Sequence, residues 1–193
     1  MSWVDRIVHN KPTEVHGLEW HALQWLAFNM REIDAREIYG NQPATTAFEV
    51  TALIMHETAK CGVGHMAYIN GRPVAAFGVF KMWDGVFQVW SFGTDEYAQG
   101  LASFRQKWRE TAAWLLAEGC HRLHCASLVD HVESRQFLRM LGARCESTMV
   151  GYGKDGSDYL MYVWDKEALQ DVLRKIVESA ATGTTAAAPV QDG

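Results

Sequence analysis

Cysteine is scarce in this chain, and what there is lies scattered. Cys61, Cys120, Cys125 and Cys145 are the only 4 cysteines in 193 residues, and no Cys-x-x-Cys pair occurs. Irregular spacing of so few cysteines reads as reduced thiols in a cytoplasmic protein. Positive charge is short as well: 18 Lys and Arg face 23 Asp and Glu, a net charge of −5. A chain without a basic footprint is not built to grip nucleic-acid phosphates. No apolar run approaches the roughly 20 residues that cross a bilayer. Met1–Arg6 shows no charged-then-apolar leader pattern, and no internal repeat occurs. The expectation is a soluble intracellular protein whose partners include neither nucleic acid nor membrane.

What is present is ordinary for a globular domain, 48% hydrophobic and 21% charged, with one excess: 8 tryptophans. Trp fills cores but also suits interfaces, so a partner surface enters the reading. The length fits one domain over residues 1–179, followed by a low-complexity tail, 180–193 (AATGTTAAAPVQDG), with nothing to bury.

Along the chain, Trp3–His9 reads as a first strand and Thr13 as the N-cap of a helix over Glu14–Asn29. Met30–Tyr39 reads as a charged helix with Ile33 and Ile38 inward, stopped by Gly40-Asn41-Gln42-Pro43. Thr45–Ala59 reads as a third helix. Strands then take over. Val63–Ile69 and Arg72–Trp83 flank Asn70-Gly71, a two-residue hairpin signal, and Asp84-Gly85 turns the chain into Val86–Gly93. A long helix to about Glu118, a strand over Arg122–Leu128 and a short helix capped by Asp130 come next. Ala143–Tyr152 and Asp158–Trp164 form a hairpin before a last helix, Lys166–Ser179. The fold class is α/β, a mixed, mostly antiparallel sheet flanked by helices.

The run from Val86 carries the chemistry. An apolar strand ends at Gly93, and Tyr97-Ala98-Gln99-Gly100-Leu101-Ala102 opens a helix. Free backbone N–H groups and the helix dipole at such a junction favour an anion. This order, with its Gly-x-Ala, resembles the acetyl-CoA-binding half of the GNAT acetyltransferase fold, whose pyrophosphate loop reads Gln/Arg-x-x-Gly-x-Gly/Ala. Here Tyr97 stands at the basic or amide position. The resemblance implies acetyl-CoA as cofactor, held by Gln99, Gly100, Leu101, Ala102 and Ser103. Arg105, with Lys107 and Arg109, is placed to reach outer phosphates. The family's later helix carries a general-acid Tyr four residues before a Gly. Counting back from Gly142 gives Leu138, which can donate nothing. The stretch Asn29–Ile38 together with 97–164 is also similar to small GNAT-like proteins of tailed bacteriophages, the internal virion protein family of podophages among them.

Candidate catalytic groups follow from those positions. Arg31, Glu32, Asp34, Arg36 and Glu37 gather on the second helix, on the acceptor side of the resembled fold. Glu32 or Asp34 would act there as general base or amine ligand; the plainer reading is a salt-bridged surface helix. His131 and Glu133 start the short helix and would stand in for the missing Tyr. Cys125 and Ser127 share one face of their strand, where they flank the acyl position or simply fill the core. His121 and His124 fall on opposite faces of that strand, so no metal is expected. Two functions remain open: an acetyl-CoA-dependent N-acetyltransferase of an amine, chiefly of a protein, with a degenerate site; or a non-catalytic phage protein that serves virion assembly or binds a host partner.

Overall fold

The computed structural model describes residues 13–182. The expected strand Trp3–His9 and most of the expected tail fall outside them. Seven strands make one sheet: β1 (Thr13–Gly17), β2 (Gly62–Ile69), β3 (Arg72–Trp83), β4 (Val86–Gly93), β5 (Arg122–Leu128), β6 (Arg144–Met149) and β7 (Tyr159–Asp165). Six helices accompany them: α1 (Trp20–Phe28), α2 (Glu32–Asn41), α3 (Ala47–Cys61), α4 (Tyr97–Ala117), α5 (Val132–Met140) and α6 (Lys166–Thr182). The strand order is β1-β2-β3-β4-β5-β7-β6, and among the described residues only β4 and β5 run parallel.

The meander is built from local chemistry. Asn70 (φ 53°) and Gly71 (φ 73°) both occupy the left-handed region that a two-residue hairpin turn demands. Alternation along β3 and β4 then sends side chains to two cores. Phe77, Val79, Phe87 and Val89 pack beneath α4 and α6 with Phe104, Trp108 and Leu115. On the opposite face Met66, Ala76 and Phe92 pack against Leu23 and Leu26 of α1 and Val50 and Ile54 of α3. α3 begins with a reciprocal capping box between Thr46 and Glu49, which satisfies free donors of its first turn.

Expectations for several element ends are corrected. Thr13 caps no helix: Thr13–Gly17 is an edge strand antiparallel to β2, its Val15 turned to the core, and helix begins only at Trp20. The stop expected over Gly40-Asn41-Gln42-Pro43 holds, α2 ending at Asn41. The missing Cβ of Gly40 makes room for the hydroxyl of Tyr159, which donates to Glu37 O at 2.9 Å. Asp130 does not cap α5; His131 holds the N-cap position and the Asp130 carboxylate pairs with Arg36 at 3.3 Å. Ala180–Thr182 belongs to α6 rather than to a tail.

Candidate functional site

The sheet is split where its one parallel pair should close. β4 and β5 pair only from Val86, Phe87 and Gln88 to Arg122, Leu123 and His124. Beyond that, β4 stays with β3 as far as Gly93 while β5 stays with β7 as far as Leu128, so the two strands part. The backbone of β4 shows what the opening exposes. Thr94 N donates to Val74 O at 2.9 Å, which sets the ladder's alternation and turns the polar groups of Ser91 and Gly93 away from β3, toward the split.

Helix α2 serves as a staple across the open end. Arg31 N donates to Gly93 O at 2.8 Å, and Gly93 N donates to Asp34 Oδ2 at 2.9 Å. One turn further on, Glu37 Oε2 accepts from Leu128 N at 2.7 Å and from Ser127 Oγ at 2.9 Å. The ends of the two parted strands therefore find partners on one helix face rather than on each other, which buried backbone groups require. Ser91, between them, keeps its main-chain groups facing the gap.

These contacts gather a charged cluster. Arg31 holds Asp34 with two nitrogens, at 2.8 and 3.1 Å, and Glu133 with a third at 3.1 Å. Its guanidinium lies 4.6 Å from the centre of the Tyr97 ring. Asp34 is only 3% exposed; burial pushes its carboxyl above the usual range, against the pull of Arg31 and the Gly93 N–H. His131, 4% exposed, places Nδ1 3.1 Å from Glu37 Oε2 and Nε2 3.6 Å from Asp34 Oδ1. That second distance is too long for a hydrogen bond, and Nε2 is buried with no partner among the described residues. Because Glu37 Oε2 already accepts two protons, Nδ1 is the donor there, which leaves Nε2 as the free position. Tyr97 OH and Ser91 Oγ share a 2.6 Å hydrogen bond, and burial raises the phenol's affinity for its proton.

The split, the cluster and the neighbouring core walls enclose a cavity of about 190 Å³. Its α4–α5 side is apolar, with Phe104, Phe137 and Leu138. Leu138, where a Tyr would stand by resemblance, does line the cavity, so no hydroxyl is offered from that position. Cys125 lies on the same side, and burial pushes its thiol well up, so it remains a protonated wall residue.

Of the residues singled out in the sequence, Asp34, His131 and Glu133 converge here. Glu32 sits on the exposed face of α2, two residues and so about 200° around the helix from Asp34, and does not line the cavity. Ile33 is likewise not the inward residue; the side chain that α2 buries is Asp34. Gln99, Gly100, Leu101, Ala102 and Ser103 all lie in the opening turns of α4. Gly100 is buried against the sheet, where a Cβ would come within 3.2 Å of Ala67 Cβ, so its small size serves close packing of helix on strands. Arg105 is exposed. Glu96, just before the helix, is paired with Arg72, and Asp95 beside it is exposed. The sequence set Ser127 at the acyl position and Tyr97 in the phosphate loop and gave Glu37 no role of its own, whereas the structure brings all three to this cluster. The available signal was spacing: Arg31, Asp34 and Glu37 recur at intervals of three, which puts them on one helix face.

No family model matches the sequence, and no curated protein does. Solved structures do. An acetyltransferase of the GNAT family from Streptococcus pneumoniae is 14% identical, with a TM-score of 0.58 over 80% of this chain and 99% of its own. The ribosomal-protein-S5-alanine acetyltransferase of Vibrio fischeri is 15% identical, TM-score 0.59, over 81% of this chain and 94% of its own. An acetyltransferase from Salmonella typhimurium, solved with its cofactor acetyl-CoA, is 11% identical, TM-score 0.62, over 81% and 95%. At these identities the likeness is one of fold: the chain has the mixed α/β fold of GNAT acetyltransferases.

Proposed function

We propose that this protein is an N-acyltransferase that takes acetyl-CoA as donor and acylates an amine, that of a protein included. The observation that carries the reading is the split between β4 and β5, with a buried carboxylate–histidine cluster at its open end and the backbone of Ser91 directed into it. The residues fit the thioester end of such a donor. Ser91 offers main-chain groups to the arm and the apolar side chains of Phe104, Phe137 and Leu138 flank it, while the opening turns of α4 (Gln99–Ser103) would receive its phosphates by their helix N-terminus. Acetyl-CoA would supply the activated acyl group.

The chain's own groups then do the proton work. Neutral amine is needed for attack, and His131 Nε2, oriented by Glu37, is placed to take the ammonium proton. The amine nitrogen bonds to the acyl carbon as the carbon–sulfur bond breaks, and the thiolate leaves without a Tyr at position 138 to protonate it. Donors pointed at the acyl oxygen, the Ser91 N–H first, stabilise the charge that builds there. Loss of one positioned general acid costs about 10²–10⁴ in rate. Turnover is therefore slow, and Leu138→Tyr raises it. Calorimetric titration with acetyl-CoA, followed by thiol release with amines present, tests the reading; no binding at millimolar acetyl-CoA would overturn it.

A second reading has its own observations. Leu138 offers no donor, and Trp25, Phe28 and Phe48 are exposed on α1 and α3, Phe28 at 81%. A non-catalytic protein on this scaffold, binding a host protein or serving in a bacteriophage particle as the resemblance to phage proteins suggests, would present such a patch. Binding of acetyl-CoA without turnover by either the parent or Leu138→Tyr would favour it.

A further inference from the structure

The cavity is sharply divided in chemistry. Every fully charged residue that lines it, Arg31, Asp34, Glu37 and Glu133, belongs to the cluster at the α2 and α5 end. There three carboxylates face one guanidinium and one imidazole. Arg31 is taken up by Asp34 and Glu133, so Glu37 has only His131 and neutral donors. On the α3 face of the split the walls change character. Alternation along the strands turns Trp90, Ala126 and Met161 to this face, since Val89, Cys125 and Tyr162 belong to the core on the other. Leu53 and Ile54 of α3 close it from above. The polar residues interspersed are uncharged: Gln88, Asn41 and Gln42, with His124, which burial disposes toward the neutral ring.

From this division we infer, building on the acyltransfer reading above, that the acceptor is a primary amine with a single positive charge carried on an aromatic or branched apolar body. The ammonium lies at the carboxylate end, next to the vacant His131 Nε2, and the body lies along Trp90, Met161 and Leu53. A second cation further along the acceptor, as in a polyamine or a lysine-initiated peptide, would be taken out of water beside apolar walls that hold no carboxylate. A free amino acid fares badly too. Its carboxylate would find no uncommitted cation on this wall, whereas an amide or a peptide bond in its place meets neutral Gln and Asn side chains. The chemistry is shared by two sources, a small aryl- or alkylamine and the N-terminus of a peptide that begins with an apolar residue.

The test separates acceptor choice from the acyltransfer reading by measuring amine binding without donor. Calorimetry with 2-phenylethylamine, leucine amide and a leucine-initiated peptide is compared with spermidine, lysine amide and free leucine. Thiol release from acetyl-CoA is then measured with each. The expected result is at least tenfold preference in kcat/KM for the apolar monocations over spermidine and lysine amide. Met161→Gln and Leu53→Gln, which keep volume and remove apolar surface, raise KM for leucine amide fivefold or more and leave acetyl-CoA affinity alone. Spermidine equal to or better than leucine amide, or an unmoved KM in both variants, overturns the inference while the acyltransfer reading stands. Binding of the apolar amines with no acetyl-CoA binding at all overturns the acyltransfer reading instead. The peptide arm against the small-amine arm identifies the source.

Discussion

At the scale of single residues, burial decides what a charge is for. Asp34 satisfies the Gly93 N–H and two nitrogens of Arg31 from a position 3% exposed. Removing it leaves a buried cation and a buried backbone donor without partners, and breaking a buried pair in that way costs about 3–5 kcal/mol. Asp34→Ala is therefore expected to lower denaturant stability by that amount, and a loss below about 1 kcal/mol would show that water replaces the carboxylate. Burial acts on thiols in the opposite functional sense. It pushes Cys120 up to about 11, while Cys145 is exposed. A raised thiol pKa means less thiolate at a given pH, so roughly a thousandth of Cys120 is reactive near pH 8. Maleimide mass mapping of the native protein should find Cys145 labelled first, with Cys120 labelling rising about tenfold per pH unit above 8. Early labelling of Cys120 at pH 7 would contradict its burial.

At the scale of elements, α2 is an active part of the sheet as well as a cover. Asp34 and Glu37, one turn apart, complete hydrogen bonds that β4 and β5 cannot make to each other. Glu37→Gln retains an oxygen for Leu128 N and Ser127 but loses the charge that orients and supports His131. Turnover should fall by about 10²–10⁴, with a stability change of only about 1 kcal/mol, the size of one altered hydrogen bond. Equal losses in both would make Glu37 a structural residue alone. The start of α4 has the reverse imbalance. Its N-terminus favours anions, yet Asp95 and Glu96 stand just before it, and among the described residues only Glu96 has a cation, Arg72. Asp95→Asn should tighten acetyl-CoA binding about two- to fivefold at low salt, with the gain shrinking as salt screens the charge. An unchanged constant would put the phosphates elsewhere.

At the scale of the whole molecule, the split between β4 and β5 is a seam within the sheet, and the core under α4 and α6 spans it. That core takes Phe87 and Val89 from β4 and Leu123 and Cys125 from β5, and α2 ties the two strand ends together across the cavity. A ligand that fills the seam binds the folded chain only. At a hundred times its dissociation constant it adds about 2.7 kcal/mol, which for a chain of this size raises Tm by roughly 5–10 °C. Thermal scans with acetyl-CoA should show that shift, and desulfo-CoA should share most of it. No shift at saturating ligand would mean that binding does not reach the seam.

The sequence by itself determined most of the framework, because its signals are local. Asn70-Gly71 and Asp84-Gly85 specify tight turns between alternating strands, and the apolar spacing of Phe104, Trp108, Ala112 and Leu115 specifies one buried helix face. The order of those elements was enough to expect the fold. The site was only half legible. Asp34, His131 and Glu133 were visible as candidates, yet a run such as REIDARE reads equally as a solvated helix, since charge in a sequence carries no information on burial. Which carboxylates matter was decided by the β4–β5 split, a long-range event: α2 turns its 31–34–37 face to strand ends roughly 60 and 90 positions away. Thr13–Gly17 teaches the same lesson in reverse. Five residues compatible with a helix start become a strand because the edge of β2 offers them a ladder. Propensity and spacing act over a few residues, whereas burial, unpaired strand ends and the charge left inside a cavity exist only once distant segments have met.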